Sequence, residues 1–455
     1  MIIDNEKIQK TLDYKTDKKE LEDILAKSKD LQRLSLHDVS VLLNTNDKED
    51  IQKIFKAANQ LKEKIYGNRL VLFAPLYISN LCTNDCAYCA FRISNKDVKR
   101  KALSQEEILK ETEALLKTGQ KRILLVAGES YPKEGLDYVL KSIDTVYSAR
   151  DGKNNIRRLN VNLAPLEVDD FKRLKERDIG TYQIFQETYH EKNYAKMHTK
   201  GPKSDYNYRL TAIDRAFEAG IDDVGVGILF GLYDYKYEIL ALLSHIEHLE
   251  NKFGMGPHTI SVPRLEPATG SDIASTPPYP VADDDFKKII AIMRLAVPYT
   301  GLILSTRETP EIRGESFDLG VSQISAGSKT NPGGYTDGDS MTQFSLGDHR
   351  SLDEVIYDVC SHGYIPSFCT SCYRLGRTGL DFMEYAKPGD IKKKCLPNAL
   401  NTFYEYLEDY ASQETKAIGK TVLEKGFEDL PTDKVKSFVT KSMQKIKEGQ
   451  RDIFC

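Results

Sequence analysis

Three cysteines near the start of the chain have a spacing that suits an iron-sulfur cluster. The segment NLCTNDCAYCAFRISN places Cys82, Cys86 and Cys89 in a CxxxCxxC pattern, directly after a run that predicts a strand. Three thiolates on one loop can hold three irons of a 4Fe-4S cube and leave the fourth iron without a protein ligand. A structural zinc site is the alternative, but it takes four ligands and no fourth ligand is near in sequence. We therefore expect a cluster with one open iron.

An open iron of this kind can chelate the amino and carboxylate groups of S-adenosylmethionine (SAM), which the reduced cluster cleaves to methionine and a 5′-deoxyadenosyl radical. Polar residues at the ends of the predicted strands could hold the rest of SAM, and Gly128 would let the backbone approach its methionine end. Each of them could equally be a structural barrel residue or part of a solvated face. The candidate SAM-binding residues are Glu129, Asn160, Asn162, Glu187 and Arg209.

A second cysteine group lies near the end of the chain. Cys369 and Cys372 form a CxxC pair, and Cys395 closes the segment FCTSCYRLGRTGLDFMEYAKPGDIKKKC. A zinc ribbon would need a second CxxC pair, which the sequence lacks, so we expect a second iron-sulfur cluster with an open iron and keep zinc as the alternative. Cys360 and Cys455 have no partner at ligand spacing, and Cys360 is expected to be a core thiol.

The pattern between the cysteine groups predicts a (β/α)8 barrel of the TIM type. Near-continuously apolar runs alternate with amphipathic helices such as SQEEILKETEALLKTG, where Ser104 and Glu107 have the spacing of a capping box. Eight repeats of this kind indicate a closed parallel sheet with active residues at the carboxyl ends of the strands. The eight predicted strands are VLFAPLYIS, RILLVAG, RLNVNLA, TYQIFQE, DVGVGILFG, TISVPRLE, GLILSTRE and SQISAGS.

Two additions are expected around the barrel. We assign residues 1–65 to an N-terminal helical segment, because their apolar positions recur at helical spacing. Residues 66–350 form the predicted barrel. Residues 351–455, in which no further strand is expected, form a mostly helical C-terminal module that carries the second cysteine group.

The composition of the 455 residues excludes some classes of partner. Hydrophobic residues make up 40% and charged residues 29%, and the net charge is only −4, so neither nucleic acid nor an anionic membrane is implied. The N-terminus is polar, and no segment reaches the roughly 18 consecutive apolar residues of a membrane span. We expect a cytoplasmic protein, in which the eight cysteines are thiols or metal ligands rather than disulfides.

Seven motifs run along the chain nearly from end to end: CTNDCAYC, QETYH, GPHTISVPR, STRE, SQISAGS, CTSCYRLGRTG and RDIF. Together they resemble the HydG family, the tyrosine-cleaving maturases of FeFe hydrogenase. The barrel is also similar to that of the tyrosine lyase of thiamine thiazole synthesis, which makes dehydroglycine and p-cresol. That lyase lacks the second cysteine group, so this group distinguishes the two families.

The resemblance implies a reaction at two sites. The deoxyadenosyl radical takes a hydrogen atom from the amino group of tyrosine, the Cα–Cβ bond breaks, and p-cresol and dehydroglycine form. Dehydroglycine then reaches the second cluster and decomposes to carbon monoxide and cyanide, which an additional iron captures for the hydrogenase active site. A low-potential electron donor and hydrogenase-maturation proteins are the implied partners.

The resemblance suggests roles for residues at two further sites. Ser305, Thr306 and Arg307 end the seventh predicted strand, where an arginine fork can clamp the carboxylate of tyrosine and a hydroxyl can orient it. The alternative is a structural pair between Arg307 and Glu308. In the family a matching histidine helps to hold the additional iron, so the resemblance implies that role for His258.

Other functions stay open. A plain tyrosine lyase for thiamine synthesis is one, and the second cysteine group argues against it. Ala90 follows the third cysteine where related enzymes generally carry glycine, which leaves open a paralogue with an altered substrate or product. An iron-sulfur carrier or scaffold would be a different class, but it would need neither a barrel nor a SAM site.

Overall fold

The computed structural model describes residues 2–14, 18–338 and 341–455. Four helices come first and precede the barrel. Their starts follow from local caps: Ser35 and Asp38 form a capping box, and the Asp47 carboxylate accepts from the first backbone amides of the fourth helix. The four helices are α1 (Asn5–Leu12), α2 (Lys18–Lys29), α3 (Leu36–Asn44) and α4 (Lys48–Tyr66).

Eight parallel strands close into a barrel, as the sequence predicts. Each strand pairs with the next, and the eighth pairs with the first through Val71 and Gln323. All eleven residues of the first strand are buried, as expected for a parallel strand covered by helices outside and side chains inside. The strands are β1 (Arg69–Ser79), β2 (Arg122–Ala127), β3 (Arg158–Asn162), β4 (Tyr182–Glu187), β5 (Val224–Ile228), β6 (Thr259–Ser261), β7 (Gly301–Leu304) and β8 (Gln323–Ser325).

Helices connect the strands and cover the outside of the barrel. The first of them starts at the predicted capping box, since Ser104 and Glu107 exchange hydrogen bonds with each other's backbone amides. The connecting helices are α5 (Gln105–Lys117), α6 (Leu136–Ser148), α7 (Val168–Lys175), α8 (Glu191–Met197), α9 (Tyr206–Leu210), α10 (Ala212–Glu218), α11 (Tyr235–Phe253), α12 (Asp272–Ser275), α13 (Asp283–Ala296) and α14 (Pro310–Phe317).

A ninth strand corrects the expectation that strands stop at residue 350. The strand β9 (Ile365–Ser367) runs parallel to β1. Val71 pairs with Gln323 on one edge and with Ser367 on the other, so β9 occupies the edge of β1 that β2 takes further along. The domain boundaries at residues 65 and 350 therefore stay a prediction. The remaining helices are α15 (Leu352–Ser361), α16 (Ser371–Arg374), α17 (Gly379–Ala386), α18 (Ile391–Asp409), α19 (Gln413–Glu428) and α20 (Asp433–Lys447).

The described helices were also compared with the requirements of a membrane span. None of them is both long enough and apolar enough to cross a bilayer.

Candidate active site

The first three cysteines line a cavity of about 200 Å³ at the carboxyl ends of the barrel strands. Cys82, Cys86 and Cys89 lie on the loop after β1, and their thiols are not in disulfides. Burial raises the pKa of all three thiols, for Cys89 to about 11. Their thiolates therefore need a cationic partner, which iron supplies. Three sulfur donors on one loop, open to one cavity, fit a 4Fe-4S cluster.

Hydrogen bonds from one arginine side chain to backbone carbonyls hold the cysteine loop in place. The guanidinium of Arg100 donates to four carbonyls between residues 80 and 95. A Cβ at Gly128 would lie 2.2 Å from the carbonyl oxygen of Leu81, so only glycine lets the end of β2 approach the loop this closely. Ala90 is not among the residues with a positive φ, and alanine therefore causes no backbone strain there.

Two carboxylates and two cations form a buried network beside the cysteines. Arg209 Nη1 lies 2.9 Å from Glu129 Oε1, and Lys203 Nζ lies 2.7 Å from Glu187 Oε1. Burial opposes the charge on Lys203, but Glu187 and Glu129 outweigh it and raise the lysine pKa. Burial also opposes ionisation of Glu129, yet Arg209 and Lys203 keep its pKa low. Glu129, Lys203 and Arg209 therefore stay charged although they are largely buried, which suits the zwitterionic end of SAM.

Glu187 has an unusual backbone conformation at this site. Its φ is +69°, in the left-handed region that residues other than glycine rarely adopt. The register between β4 and β5 shifts at the same point, between Phe185 and Glu187. Strain of this kind is concentrated at functional sites. Here the strained residue ends β4, and its carboxylate forms the ion pair with Lys203.

The two candidate asparagines of β3 lie at different depths. Asn162, at the end of the strand, lines the first cavity. Asn160 has the same facing but lies one pleat lower, where its Oδ1 accepts a hydrogen bond from the Thr181 amide at 3.0 Å. Asn160 is not among the residues that line the first cavity, and its contact with SAM stays a prediction.

Ser305 and Arg307 line the same cavity. The Arg307 guanidinium carbon lies 3.3 Å from the ring centroid of Phe344. Glu308 bonds to Arg264 instead, so the alternative Arg307–Glu308 pair does not form. Among the described residues no carboxylate lies within ion-pair distance of Arg307, and burial lowers its pKa. A half-buried guanidinium without a carboxylate partner is suited to a substrate carboxylate.

The second cysteine group lies at the opposite end of the barrel, in a cavity of about 50 Å³. Cys369, Cys372 and Cys395 line it together with Arg69. A hydrogen bond from Cys372 lowers the pKa of Cys395 against the effect of burial, and the nearby Arg69 and Arg377 lower it further. Burial and Cys395 raise the pKa of Cys369, and the hydrogen bond with Cys395 together with burial raises that of Cys372. Bound iron would stabilise these thiolates, and the set of three sulfur donors fits a second iron-sulfur cluster.

His258, which immediately precedes β6, lines the second cavity. Its ring stacks on Phe382 at 4.0 Å and lies nearly parallel to Tyr373 at 5.8 Å. Its Nδ1 is 2.6 Å from a carboxylate oxygen of Asp223. The engaged Nδ1 leaves Nε2 as the nitrogen available to a metal, so the geometry suits the role that we expect for this histidine.

The C-terminal residues pack against the second cysteine loop. Arg374 donates to both carboxylate oxygens of Asp452, at 2.6 and 2.8 Å. The side chain of Asn398 exchanges two hydrogen bonds with the backbone of Cys455. The RDIF motif therefore has a structural role. It also places Cys455 near Cys369, and burial together with Cys369 raises the pKa of Cys455.

Three residues of these sites were not among the sequence candidates. Asn84 lies inside the cysteine loop and donates to Glu129 at 2.9 Å, so its position beside the cysteines could have identified it. Lys203 follows a short loop, and Asp223 directly precedes β5; neither has a spacing that signals a site. Both reach their partners only through the folding of the barrel.

Comparisons with known proteins identify the family of the chain. Residues 76–246 match the Radical SAM superfamily model, and residues 261–365 match the Biotin and Thiamin Synthesis associated domain. The 2-iminoacetate synthase of Salmonella typhimurium is 35% identical over 336 residues, which are 73% of this chain and 86% of that protein.

Two crystal structures of FeFe-hydrogenase maturases named HydG resemble the whole chain. One is 48% identical, with a TM-score of 0.97 over 100% of both chains. The other, from Carboxydothermus hydrogenoformans, is 43% identical, with a TM-score of 0.82 over 94% of each chain. The chain therefore belongs to the radical SAM superfamily and, within it, to the HydG family.

Proposed function

We propose that this chain is a radical SAM lyase that cleaves tyrosine to p-cresol and dehydroglycine, and that it converts dehydroglycine to carbon monoxide and cyanide for the active site of FeFe hydrogenase. The observation that carries the proposal is the presence of two cysteine triads at opposite ends of one barrel lumen. The full-length likeness to HydG maturases and the relationship to 2-iminoacetate synthase support the same reaction.

The first cavity would bind SAM. Cys82, Cys86 and Cys89 would hold the cluster, which would supply the electron for the cleavage of SAM to the 5′-deoxyadenosyl radical. Glu129 and Arg209 present opposite charges at the cavity wall, where they can position the polar groups of the cofactor. Glu187 and Asn162 are the further proposed contacts. Because Glu129, Glu187 and Arg209 are already paired, and Glu187 and Arg209 are buried, they lose little freedom when the cofactor arrives.

Tyrosine would lie on the other side of the same cavity. Arg307 binds the carboxylate and the hydroxyl of Ser305 orients it, which turns the amino group toward the site of the radical. Phe344 covers the face of the guanidinium and restricts the access of water to this pair. A charge-assisted, two-pronged contact in such surroundings fixes both position and orientation.

The second cavity would receive dehydroglycine through the barrel interior. Dehydroglycine hydrolyses readily in water, so an enclosed route has a chemical purpose. Alternate residues of β1 face the lumen, and Phe73 lines the first cavity while Val71 lines the second. Two strand residues span only about 6.6 Å. The second cysteine triad and His258 would hold the second cluster and the additional iron, for which a plain lyase of thiamine synthesis has no use.

Specific partners and the cellular location belong to the proposal as well. A low-potential electron donor must reduce the first cluster, and hydrogenase-maturation proteins would accept the product. A reducing cytoplasm would keep the cysteine ligands as thiols. Neither nucleic acid nor a membrane has a part in the reaction.

An anaerobic incubation with tyrosine, SAM and dithionite tests the function. We expect p-cresol, cyanide and carbon monoxide; p-cresol alone would indicate a plain lyase. An iron-sulfur scaffold is distinguished by EPR with and without SAM, because its cluster signal would not respond to SAM.

A further inference from the structure

The loop between β8 and α15 contributes Gln343 and its neighbour Phe344 to the lining of the first cavity, together with Ser328 and Thr330. Backbone hydrogen bonds hold the chain on both sides of Gln343. The backbone N–H of Gln343 donates to the carbonyl of Thr330 at 2.9 Å, and the backbone N–H of Ser345 donates to the carbonyl of Pro267 at 2.8 Å. The next turn is held too, since the Gly347 amide donates to Thr306 O at 2.9 Å. The side chain at 343 therefore points into the cavity from a fixed backbone.

The carboxamide of Gln343 bridges a tyrosine and a cluster cysteine. The Tyr77 hydroxyl donates to Gln343 Oε1 at 2.7 Å, and Gln343 Nε2 lies 3.7 Å from Cys89 Sγ. Tyr77 is buried, and burial raises its pKa, so it stays protonated and can donate.

The orientation of this amide follows from its two neighbours. A thiolate accepts hydrogen bonds and donates none. The flipped amide would place its oxygen against that sulfur, and two acceptors would then face each other. Only the orientation with N–H toward Cys89 and oxygen toward Tyr77 satisfies both contacts. Among the described residues, Gln343 is the only side chain that donates to a sulfur of the first cysteine group.

We propose that Gln343, oriented by Tyr77, donates a hydrogen bond to the Cys89 thiolate and thereby raises the reduction potential of the cluster at the first site. The proposal rests on the cluster assigned above under the proposed function, and it makes Gln343 a positioning and tuning residue. Reduction adds negative charge to a cluster and its sulfurs, so a donor aimed at one sulfur stabilises the reduced form. Easier reduction would assist the cleavage of SAM.

The test is an anaerobic potentiometric titration of the reconstituted full-length protein, followed by EPR. Gln343→Leu keeps the approximate volume and removes the donor, so the midpoint potential of the first cluster should become more negative. Tyr77→Phe frees the amide to rotate and should cause a smaller shift in the same direction. The double variant should shift no further than Gln343→Leu alone, because Tyr77 acts through Gln343.

Two controls separate this effect from general damage. The second cluster in the same sample should keep its potential in every variant. Ser345→Ala changes an exposed side chain of the same loop that is not part of the cavity lining, and it should leave the first potential unchanged. A fully loaded Gln343→Leu protein with an unchanged potential would overturn the proposal, and so would an equal shift of both clusters.

The titration uses no tyrosine, so its result is independent of the substrate assignment. A shift in Gln343→Leu combined with no lyase activity in the parent protein would contradict only the proposed function. A first site that gives no cluster signal in any variant would contradict both proposals.

Discussion

The carboxylate of Asp223 lies 2.6 Å from Nδ1 of His258, at the amino end of the barrel. Asp223 is 1% exposed, and its contact with His258 is an ion-pair distance, since neither carboxylate oxygen forms a well-aligned hydrogen bond to a described residue. Its pKa is lowered, because His258, Thr181 and Arg158 outweigh the effect of burial. A buried carboxylate directed at one histidine is the arrangement that orients metal-binding imidazoles. It fixes which nitrogen faces the second cavity.

The first prediction is that Asp223→Asn weakens the binding of the additional iron. Loss of such a partner typically costs about 10- to 100-fold in metal affinity. The iron content of the reconstituted protein and its Mössbauer spectrum measure the effect, while p-cresol formation should persist. Asp214→Asn is the matched control, since Asp214 pairs with His248 at 2.8 Å outside both cavities. Equal iron loss in both variants would contradict the assignment.

The second prediction concerns the tyrosine carboxylate. Arg307→Ala should raise the KM for tyrosine strongly, because loss of a charge-assisted pair in a desolvated site costs roughly 2 to 5 kcal/mol. Arg307→Lys keeps the charge without the planar fork and should be intermediate. The absorption spectrum of the first cluster should not change in either variant. An unaltered tyrosine dependence in Arg307→Ala would place the carboxylate elsewhere.

A third prediction separates the two cysteine groups. Cys86→Ala should abolish 5′-deoxyadenosine formation, because a lost ligand destabilises the first cluster. The double variant Cys369→Ala, Cys372→Ala should still make p-cresol but lose carbon monoxide, and cyanide should fall less completely. His258→Ala should lose assembled iron-carbonyl product before p-cresol. Undiminished carbon monoxide from the double cysteine variant would return the second group to a structural role.

The fourth prediction is a pH dependence of stability. Burial lowers the pKa of His245 to about 4, from its ordinary 6.5. Between these values the unfolded chain binds a proton that the folded chain does not, so stability falls as pH drops through that window, by at most about 1.4 kcal/mol per pH unit.

Thermal unfolding of the cluster-free protein at pH 7 and pH 5 measures this dependence. His245→Gln should lose less stability on acidification than the parent protein, and Gln can still bond to the hydroxyl of Tyr189, 3.0 Å from the present histidine nitrogen. Tyr189→Phe provides the control, because it removes the same hydrogen bond but keeps the imidazole of His245, and its pH dependence should match that of the parent protein. An identical acid response in His245→Gln would show that other groups dominate.

The barrel could be predicted from the sequence because its strands are buried on both faces. Such strands are short apolar runs separated by amphipathic helices, and all eight were found in this way. The strand β9 was missed because it has three residues, Ile365–Ser367, one of which is Pro366. Its pairing with β1 is a tertiary contact that no local pattern signals.

The sites were predictable only where ligands are close in sequence. The cysteines are identified by their spacing, whereas Lys203, Asp223 and Gln343 meet their partners from distant loops. Asn160 is a candidate because of its position near the end of β3, and its place in the SAM site stays a prediction. The sequence also left two interpretations of Arg307 open, a clamp for a substrate carboxylate and a structural pair with Glu308. Only the three-dimensional structure separates them, because the partner of Glu308 is Arg264, which lies on another loop.

The strand β1 joins the two cysteine-lined cavities within one element. Its first residue, Arg69, lines the second cavity, and its last, Ser79, lies three residues before Cys82. At about 3.3 Å per residue the eleven-residue strand spans roughly 35 Å. An insertion or deletion of a single residue within 69–79 would turn every later inward side chain outward and displace one site relative to the other. Length changes among descendants of this chain should therefore accumulate in its loops, and the length of this strand should be among its most slowly evolving features.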